Sequence, residues 1–192
     1  MHPVIYDVAV SIDGYISGPG GDISGFAQDG AVVDDYRDRL SRYATAIMGR
    51  ATYEFGYRFG MAPGQNPYGH MRTFVFSATI DLPAKRDVTV MRGDLAETLA
   101  RIVAQSRGPV YLCGGGAFAG SLLALGLIDI LRLKRAPVVL GGGVPLFGPG
   151  RIAPRLTLLT SHPYADGGLF QEYAIGPAQD AGRRQSAIGS ST

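Results

Sequence analysis

Three consecutive glycines, Gly114 to Gly116, directly follow the apolar stretch VYLC and precede AFAGSLLALG, which has helical spacing. The first turn of a helix leaves backbone N–H groups unpaired and carries partial positive charge, so an anion binds there when no side chain blocks its approach. The order strand, glycines, helix therefore predicts a phosphate site at this turn. A tight turn with close packing is the alternative explanation, and the turn does not follow the spaced dinucleotide pattern G-x-G-x-x-G.

A second turn, in MGRATYE, has the same design. Gly49 follows the short apolar strand TAIM, Arg50 supplies a guanidinium in fork geometry, and Thr52 supplies a hydroxyl that can bond a phosphate oxygen. Ser77 ends TFVFS and is a further polar group at a strand end. Two such turns in one sheet suit a cofactor with two or more phosphates. An ordinary helix start with a solvated arginine and a surface serine is the alternative.

These turns need a sheet that brings strand ends together, and the order of elements predicts one. Strands and helices alternate through the middle of the chain, and strands alone close it. We predict strands at 4–12, 45–49, 72–78, 87–91, 108–114, 128–141 (broken near Pro137), 155–164 and 168–175, and helices at 31–44, 50–59, 94–106 (with Asp94 as N-cap) and 117–126. This order predicts an α/β fold with a mostly parallel central sheet, an antiparallel C-terminal edge and flanking helices, which binds ligands beyond the carboxyl ends of its strands.

Composition narrows the class of protein. The chain has 192 residues, 46% of them hydrophobic, which predicts a single domain over 1–176 followed by a polar, flexible tail over 177–192. A net charge of +2 without a basic cluster argues against a nucleic-acid partner, and no apolar run has the roughly 20 residues that a membrane span needs. Cys113 is the one cysteine, so we expect no disulfide and a cytoplasmic location. The three histidines lack metal-ligand spacing, so we assign no metal.

Five segments taken together resemble the dihydrofolate reductase superfamily, and most closely the reductase domain of bifunctional riboflavin-biosynthesis deaminase/reductases. They are VAVSIDGYISG, MGRATYE, VFSAT, YLCGGGAFAGSLLALGLID and LKRAPVVLGGGVPLF, in the family's order from about Val4 to Phe147. The resemblance implies a three-layer dihydrofolate reductase-like fold and an NADPH-dependent reductase of a small pteridine- or pyrimidine-like heterocycle, similar to 5-amino-6-(5-phosphoribosylamino)uracil reductases. It also implies a homodimer, in line with the apolar LTLLT and LFQEYAI.

The resemblance also implies where NADPH binds. It assigns Gly49, Arg50 and Thr52 to cofactor phosphate, Ser77 to the adenosine ribose and its 2′-phosphate, Gly115, Gly116 and Ala117 to the pyrophosphate beside Cys113, and Ala9 and Ile16 to the nicotinamide. Cys113 is then a small wall residue rather than a nucleophile, because no partner base is near it in the sequence.

Asp13 is the first candidate for a group that orients substrate or relays a proton, and Tyr15 is a second candidate donor. An aspartate that caps its own turn before Gly14 is the alternative for Asp13. The riboflavin-pathway reductases carry a lysine at the position of Tyr15, and an arginine pair for a ribose phosphate is not identifiable. No acidic residue matches the dihydrofolate reductase carboxylate in register either. These departures leave a non-catalytic NADP-binding module as an alternative function, and dihydrofolate reductase proper is the other alternative.

Two further motifs have structural explanations at this stage. Lys134 and Arg135 interrupt an apolar strand, and we favour a surface pair at a strand end over a cation that faces an acidic substrate group. The second glycine triplet, 141–143, precedes no helix and predicts a connection that Pro145 and Phe147 anchor.

Overall fold

A twisted sheet runs through the middle of the molecule in the computed structural model, which describes residues 1–149 and 153–178. The strands are β1 (Val4–Val10), β2 (Tyr15–Ser17), β3 (Thr45–Gly49), β4 (Arg72–Phe76), β5 (Thr89–Met91), β6 (Val110–Gly114), β7 (Ile130–Arg135), β8 (Val144–Pro145), β9 (Pro154–Pro163) and β10 (Leu169–Ala178). The helices are α1 (Ala31–Leu40), α2 (Arg50–Phe55), α3 (Leu95–Gln105) and α4 (Gly116–Ala124).

Eight of these strands form one sheet in the order β5-β4-β3-β6-β1-β7-β10-β9. The neighbours from β5 to β7 are parallel, whereas β10 is antiparallel to both β7 and β9. The two short strands β2 and β8 pair with each other beside this sheet. The predicted α/β fold, with its mostly parallel sheet and antiparallel edge, is therefore confirmed.

Helices cover both faces of the sheet, because successive residues of a buried strand point to opposite sides. On one face, Tyr6 packs with Leu99 of α3 and Leu122 of α4. On the other face, Ile5 packs in a cluster that Tyr36 of α1 adjoins. The result is three layers, with the carboxyl ends of the parallel strands at one rim.

The sequence placed most elements correctly but extended some of them too far. Asp94 caps α3 as predicted, since its Oδ1 accepts the Glu97 backbone N–H at 2.8 Å. α1 ends at Leu40, four residues before the predicted end, and α2 ends at Phe55 and continues as a short 3₁₀ turn. The predicted strand over 128–141 breaks near Pro137 as expected, since Pro137 has no N–H for a ladder bond, but the predicted continuation over 138–141 is wrong because the chain leaves the sheet after Arg135.

The C-terminal end of the predicted domain lies close to the last residue that the structure describes. β10 includes residues 177 and 178, which we had placed in the tail, and residues 179–192 lie outside the described residues. The domain boundary at 176 stays a prediction. Within 1–149 and 153–178, no helix has the length and apolar character to cross a membrane.

Candidate functional site

A cavity of about 810 Å³ opens between β1, α1 and the loops that follow β2 and β7. Its walls are mostly apolar and include Phe26, Val32 and Val138. The sequence-predicted nicotinamide neighbours Ala9 and Ile16 both line it. A space of this size and character suits a flat, largely apolar small molecule.

The cavity has a polar floor made of Asp7, Cys113 and Lys134. Asp7 lies in the middle of β1 with a side chain that is 0% exposed. Its Oδ2 accepts hydrogen bonds from Arg39 Nε at 3.0 Å and from Tyr43 Oη at 3.1 Å. Burial alone would raise the pKa of Asp7, but the nearby Lys134 and Arg39 cations outweigh burial and lower it. Asp7 is therefore a buried, ionised carboxylate.

Lys134 lies on β7 in register with Ala9 of β1, and its side chain is only 11% exposed. Its Nζ donates to Asp7 Oδ1 at 3.3 Å and lies 3.2 Å from the ring centroid of Tyr36. Burial lowers the pKa of Lys134 to about 8, because the attraction of Asp7 offsets only part of that cost. The expected surface pair is thus wrong for Lys134, whereas Arg135 is exposed.

Hydroxyl groups surround the third member of the floor. Cys113 Sγ lies 3.2 Å from Tyr68 Oη, and Tyr36 Oη lies 2.6 Å from Tyr111 Oη. Burial raises the pKa values of Cys113, Tyr36, Tyr68 and Tyr111. These groups are therefore neutral at physiological pH, and Cys113 has the character of a wall residue rather than a thiolate nucleophile.

Beside the cavity, the carboxyl ends of three neighbouring strands form what we call the glycine edge, made of Gly49, Arg50, Thr52, Ser77 and Gly115. The register aligns Gly49 with Phe76, the residue before Ser77, and Met48 with Gly114. The strand order β4-β3-β6 thus places all five residues at one rim.

Side-chain contacts tie the glycine edge together. Arg50 donates to Glu54 Oε1 at 2.8 Å and to Thr79 Oγ1 at 2.8 Å, and its side chain is 48% exposed. Ser77 Oγ accepts the backbone N–H groups of Thr79 and Ile80. Arg50 and Ser77 therefore meet at Thr79, with the guanidinium partly in solvent.

The glycine run at the start of α4 has two different explanations. Gly114 has a φ of +119° and joins Gly115 through a cis peptide bond. A Cβ at Gly115 would meet only the Thr52 hydroxyl, at 3.0 Å, whereas a Cβ at Gly116 would lie 2.0 Å from the Pro145 carbonyl oxygen. Gly116 is therefore required by the chain's own packing, while Gly115 faces the glycine edge.

Comparison with known proteins identifies the family. Residues 2–170 match the family model described as the RibD C-terminal domain. The chain belongs to this family. Two uncharacterised Bacillus subtilis proteins are relatives. YwjB is 29% identical over 145 residues, which cover 75% of this chain and 81% of YwjB. YyaP is 24% identical over 176 residues, which cover 85% of this chain and 90% of YyaP.

Solved structures agree with this assignment. A putative riboflavin biosynthesis protein from Shewanella sp. PV-4 matches with a TM-score of 0.76 and 25% identity, over 92% of this chain and all of that one. A dihydrofolate reductase from Enterococcus faecalis, complexed with NADP(H), matches with a TM-score of 0.64 and 18% identity, over 91% and 97% of the two chains. The second likeness shows that the fold is shared, and the resemblance drawn from the five sequence motifs is confirmed.

In this RibD C-terminal domain, the two candidate catalytic residues lie away from the cavity lining. Asp13 accepts hydrogen bonds from Ser11 Oγ at 2.6 Å and from the backbone N–H groups of Leu140 and Gly141. The Ser11 bond, together with the two backbone bonds, lowers the pKa of Asp13 to about 2. Tyr15 lies on β2, opposite Pro145 of β8. Asp13 thus connects the loop between β1 and β2 to the loop that follows β7, and a catalytic role for Asp13 or Tyr15 stays a prediction.

Sequence reasoning did not single out Asp7, although a signal for it exists. In VIYDVAV an acidic residue interrupts a strand that is otherwise apolar, and such a residue is either paired or functional. Its partners Arg39 and Lys134 lie on other elements, 32 and 127 positions further along the chain. Single-sequence patterns do not reveal pairings over that distance.

Proposed function

We propose that the chain is an NADPH-dependent reductase that transfers hydride to a small heterocyclic substrate of pteridine or pyrimidine type. Membership of the RibD C-terminal domain family is the observation that carries the proposal. The arrangement of the site supports it, because the glycine edge adjoins a cavity large enough for a heterocycle.

The residues at the rim suit a dinucleotide. Gly115 carries no Cβ, and the first turn of α4 has backbone N–H groups without acceptors inside the helix, so a pyrophosphate has room and donors there. Arg50 and Ser77 stand together where a 2′-phosphate would need a cation and a hydroxyl. Ala9, Ile16 and Cys113 line the cavity and would form a largely apolar wall for a nicotinamide ring.

The cavity residues have separate tasks in this proposal. When bound, the nicotinamide supplies the hydride. The apolar walls around Phe26 and Val32 would exclude water and hold a flat ring, while the polar floor provides buried charges at the base of the cavity. The chain thus orients the ring and offers a protonated amine, Lys134, at the position beside Ala9.

A binding and turnover experiment tests the proposal. NADPH binding is followed by its fluorescence, and its oxidation by its absorbance, with a panel of pteridines, pyrimidines and quinoid compounds. Binding with oxidation on at least one pteridine or pyrimidine supports the reductase. Tight NADPH binding without oxidation on any compound favours the non-catalytic module instead, and no NADPH binding refutes both.

A further inference from the structure

The buried charges at the cavity floor do not balance. One carboxylate, Asp7, lies between two cations, Arg39 and Lys134. The Arg39 pair is the shorter, at 3.0 Å against 3.3 Å, and Tyr43 adds a hydrogen bond to the same carboxylate oxygen. Asp7 and Arg39 already neutralise each other, so the Lys134 ammonium is one positive charge in excess.

The Lys134 ammonium also has unused donors. It carries three N–H groups, and among the residues described its one hydrogen-bond acceptor is Asp7. The face of the Tyr36 ring lies against the ammonium and attracts it, but this face offers no oxygen atom as a hydrogen-bond acceptor. Because Lys134 lines the cavity, a bound molecule can reach the remaining N–H groups.

The other charged groups of the cavity do not remove this excess. Arg37 and Arg135 add two further cations to the lining, and Arg37 already pairs with Asp34 at 3.0 Å near the surface. Asp166 is the second acid of the lining, but it is exposed, accepts the Gly168 backbone N–H at 2.9 Å, and forms no ion pair with Lys134 among the described residues. The cavity is therefore apolar along its walls and positive at its floor.

We propose that the cavity binds a flat, largely apolar molecule that carries a carboxylate, and that Lys134 is the residue that pairs with this carboxylate and so determines specificity. This inference rests on the proposed function in treating that molecule as the substrate. A single negative charge matches the one ammonium in excess. At the buried floor a phosphate dianion would bring a second negative charge for which no further cation is available, because Arg37 pairs with Asp34 and Arg135 is exposed, and this is costly in an apolar cavity.

The pairing predicts a defined pH dependence. The groups that face Lys134 are Asp7 on β1, Tyr36 and Arg39 on α1, and Cys113 on β6. The pKa of Asp7 is lowered, whereas those of Tyr36, Arg39 and Cys113 are raised, so none of them changes charge between neutral pH and about pH 8. Lys134, with a pKa of about 8, is the group that loses its charge first as the pH rises.

A pair of matched probes tests the inference without knowledge of the natural substrate. The planar carboxylate 2-naphthoate and its uncharged counterpart 2-naphthamide are titrated into the protein by calorimetry. The variants are Lys134→Met and Lys134→Arg, with Lys85→Met as control. Lys85 and Lys134 are the two lysines of the chain, and Lys85 is exposed and does not line the cavity, so the control removes the same charge elsewhere.

We expect wild type to bind naphthoate about 10- to 100-fold more tightly than naphthamide, the range of a charge-assisted hydrogen bond. The preference should be lost in Lys134→Met, remain in Lys134→Arg and Lys85→Met, and weaken in wild type as the pH rises above the pKa of Lys134. Equal affinities in wild type, no binding of either probe, or an unchanged preference in Lys134→Met each overturn the inference.

Two controls keep the result interpretable. Asp7 retains its hydrogen bonds to Arg39 and Tyr43 in Lys134→Met, so the variant should fold. If the variant does not fold, the pH dependence of the naphthoate preference in wild type tests the inference. NADPH binding is measured on the same samples. Absence of a naphthoate preference in wild-type protein that binds NADPH refutes this inference alone, whereas absence of NADPH binding refutes the proposed function and leaves the probe comparison valid.

Discussion

A Cβ atom at Gly116 would lie 2.0 Å from the carbonyl oxygen of Pro145. Gly120, about one turn further along α4, has the same relation to the carbonyl oxygen of Phe147, at 2.1 Å. The segment from Pro145 to Phe147 therefore crosses α4 in direct contact with helix backbone. Packing against this segment explains why positions 116 and 120 are glycine. At Gly115, which precedes the helix, the absence of a side chain instead leaves space at the glycine edge.

Replacement of Gly116 by alanine should destabilise the fold. Alanine normally favours a helix over glycine by roughly 0.5–1 kcal/mol. Here the new methyl group would displace the Pro145 carbonyl, and such overpacking costs about 1–3 kcal/mol. Urea unfolding of Gly116→Ala checks the sign. Gly142→Ala is the matched control, since a Cβ there meets no atom within 4 Å, and equal stability of Gly116→Ala and wild type would contradict the prediction.

Gly115→Val should abolish NADPH binding and leave the fold largely intact. Gly115 has a φ of −87°, which valine tolerates, and its new Cβ would meet only Thr52 Oγ1, at 3.0 Å. The thermal midpoint should therefore fall by only a few degrees, roughly what 1 kcal/mol does in a domain of this size. Added NADPH should raise the midpoint of wild type but not of the variant, because a ligand that does not bind cannot shift unfolding.

The control for this experiment is Gly69→Val, where a Cβ meets nothing within 4 Å and the site is not involved. That variant should keep the full stabilisation by NADPH. Stabilisation of Gly115→Val to the same extent as wild type would assign Gly115, like Gly116, to packing alone.

Arg50→Ala should weaken binding of NADPH more than binding of NADH. The guanidinium is half-exposed and held near Ser77 through Thr79, so it can pair with a 2′-phosphate. Loss of a charge-assisted bond corresponds to about 1.5–3 kcal/mol. Fluorescence titration with both cofactors measures the difference, with Arg101→Ala on α3 as control. Equal weakening for the two cofactors would place Arg50 on the pyrophosphate or outside the site.

The features that could be predicted from the sequence depend on residues close together along the chain. Asp94 before an amphipathic run predicts a helix start, and apolar stretches that end in glycine or serine predict parallel strands with a polar rim. These signals predict that Gly49, Ser77 and Gly115 lie at one edge of the sheet, as they do. The five motifs also identified the family, because their combined order along the chain is specific for it, whereas each motif alone is not.

What could not be predicted depends on contacts between distant segments. The surface interpretation of Lys134 failed because the pairing with Asp7 spans 127 positions and only the sheet register brings the two together. The packing role of Gly116 depends on a loop that crosses α4 from residues 145–148. The sequence predicted the break near Pro137, but the apolar residues at 138–140 wrongly indicated that a strand continues beyond it.

Asp7→Asn should be strongly destabilising at neutral pH. The change leaves Lys134 and Arg39 buried without their carboxylate, and breaking a buried ion pair on one side costs about 3–5 kcal/mol. The pKa of Asp7 is lowered in the fold. Its contribution is therefore fully present above the unfolded value near pH 3.9 and is lost as the pH falls through the folded pKa.

Urea unfolding of wild type and Asp7→Asn from about pH 7 down to about pH 3 measures this contribution, and the difference between them should shrink at the acid end. Asp34→Asn is the matched control, because Asp34 pairs with Arg37 where both side chains are more than 60% exposed. Such a surface pair contributes about 0–1 kcal/mol. A small effect of Asp7→Asn, comparable with that of Asp34→Asn, would show that the floor tolerates an uncompensated charge.

The homodimer expected from the sequence has a defined candidate surface, the edge strand β9. Its leucines Leu156, Leu158 and Leu159 are 43%, 53% and 52% exposed. An exposed apolar edge strand with unpaired backbone groups is a template for pairing with a second copy. We expect sedimentation to show twice the 20.3 kDa chain mass for wild type, and Leu158→Glu to shift it to the monomer, because a buried glutamate would lack a partner. Leu125→Glu, at an equally exposed leucine beyond α4, should remain dimeric. A 20.3 kDa wild-type species at micromolar concentration, or equal dissociation of both variants, would exclude β9 as the interface.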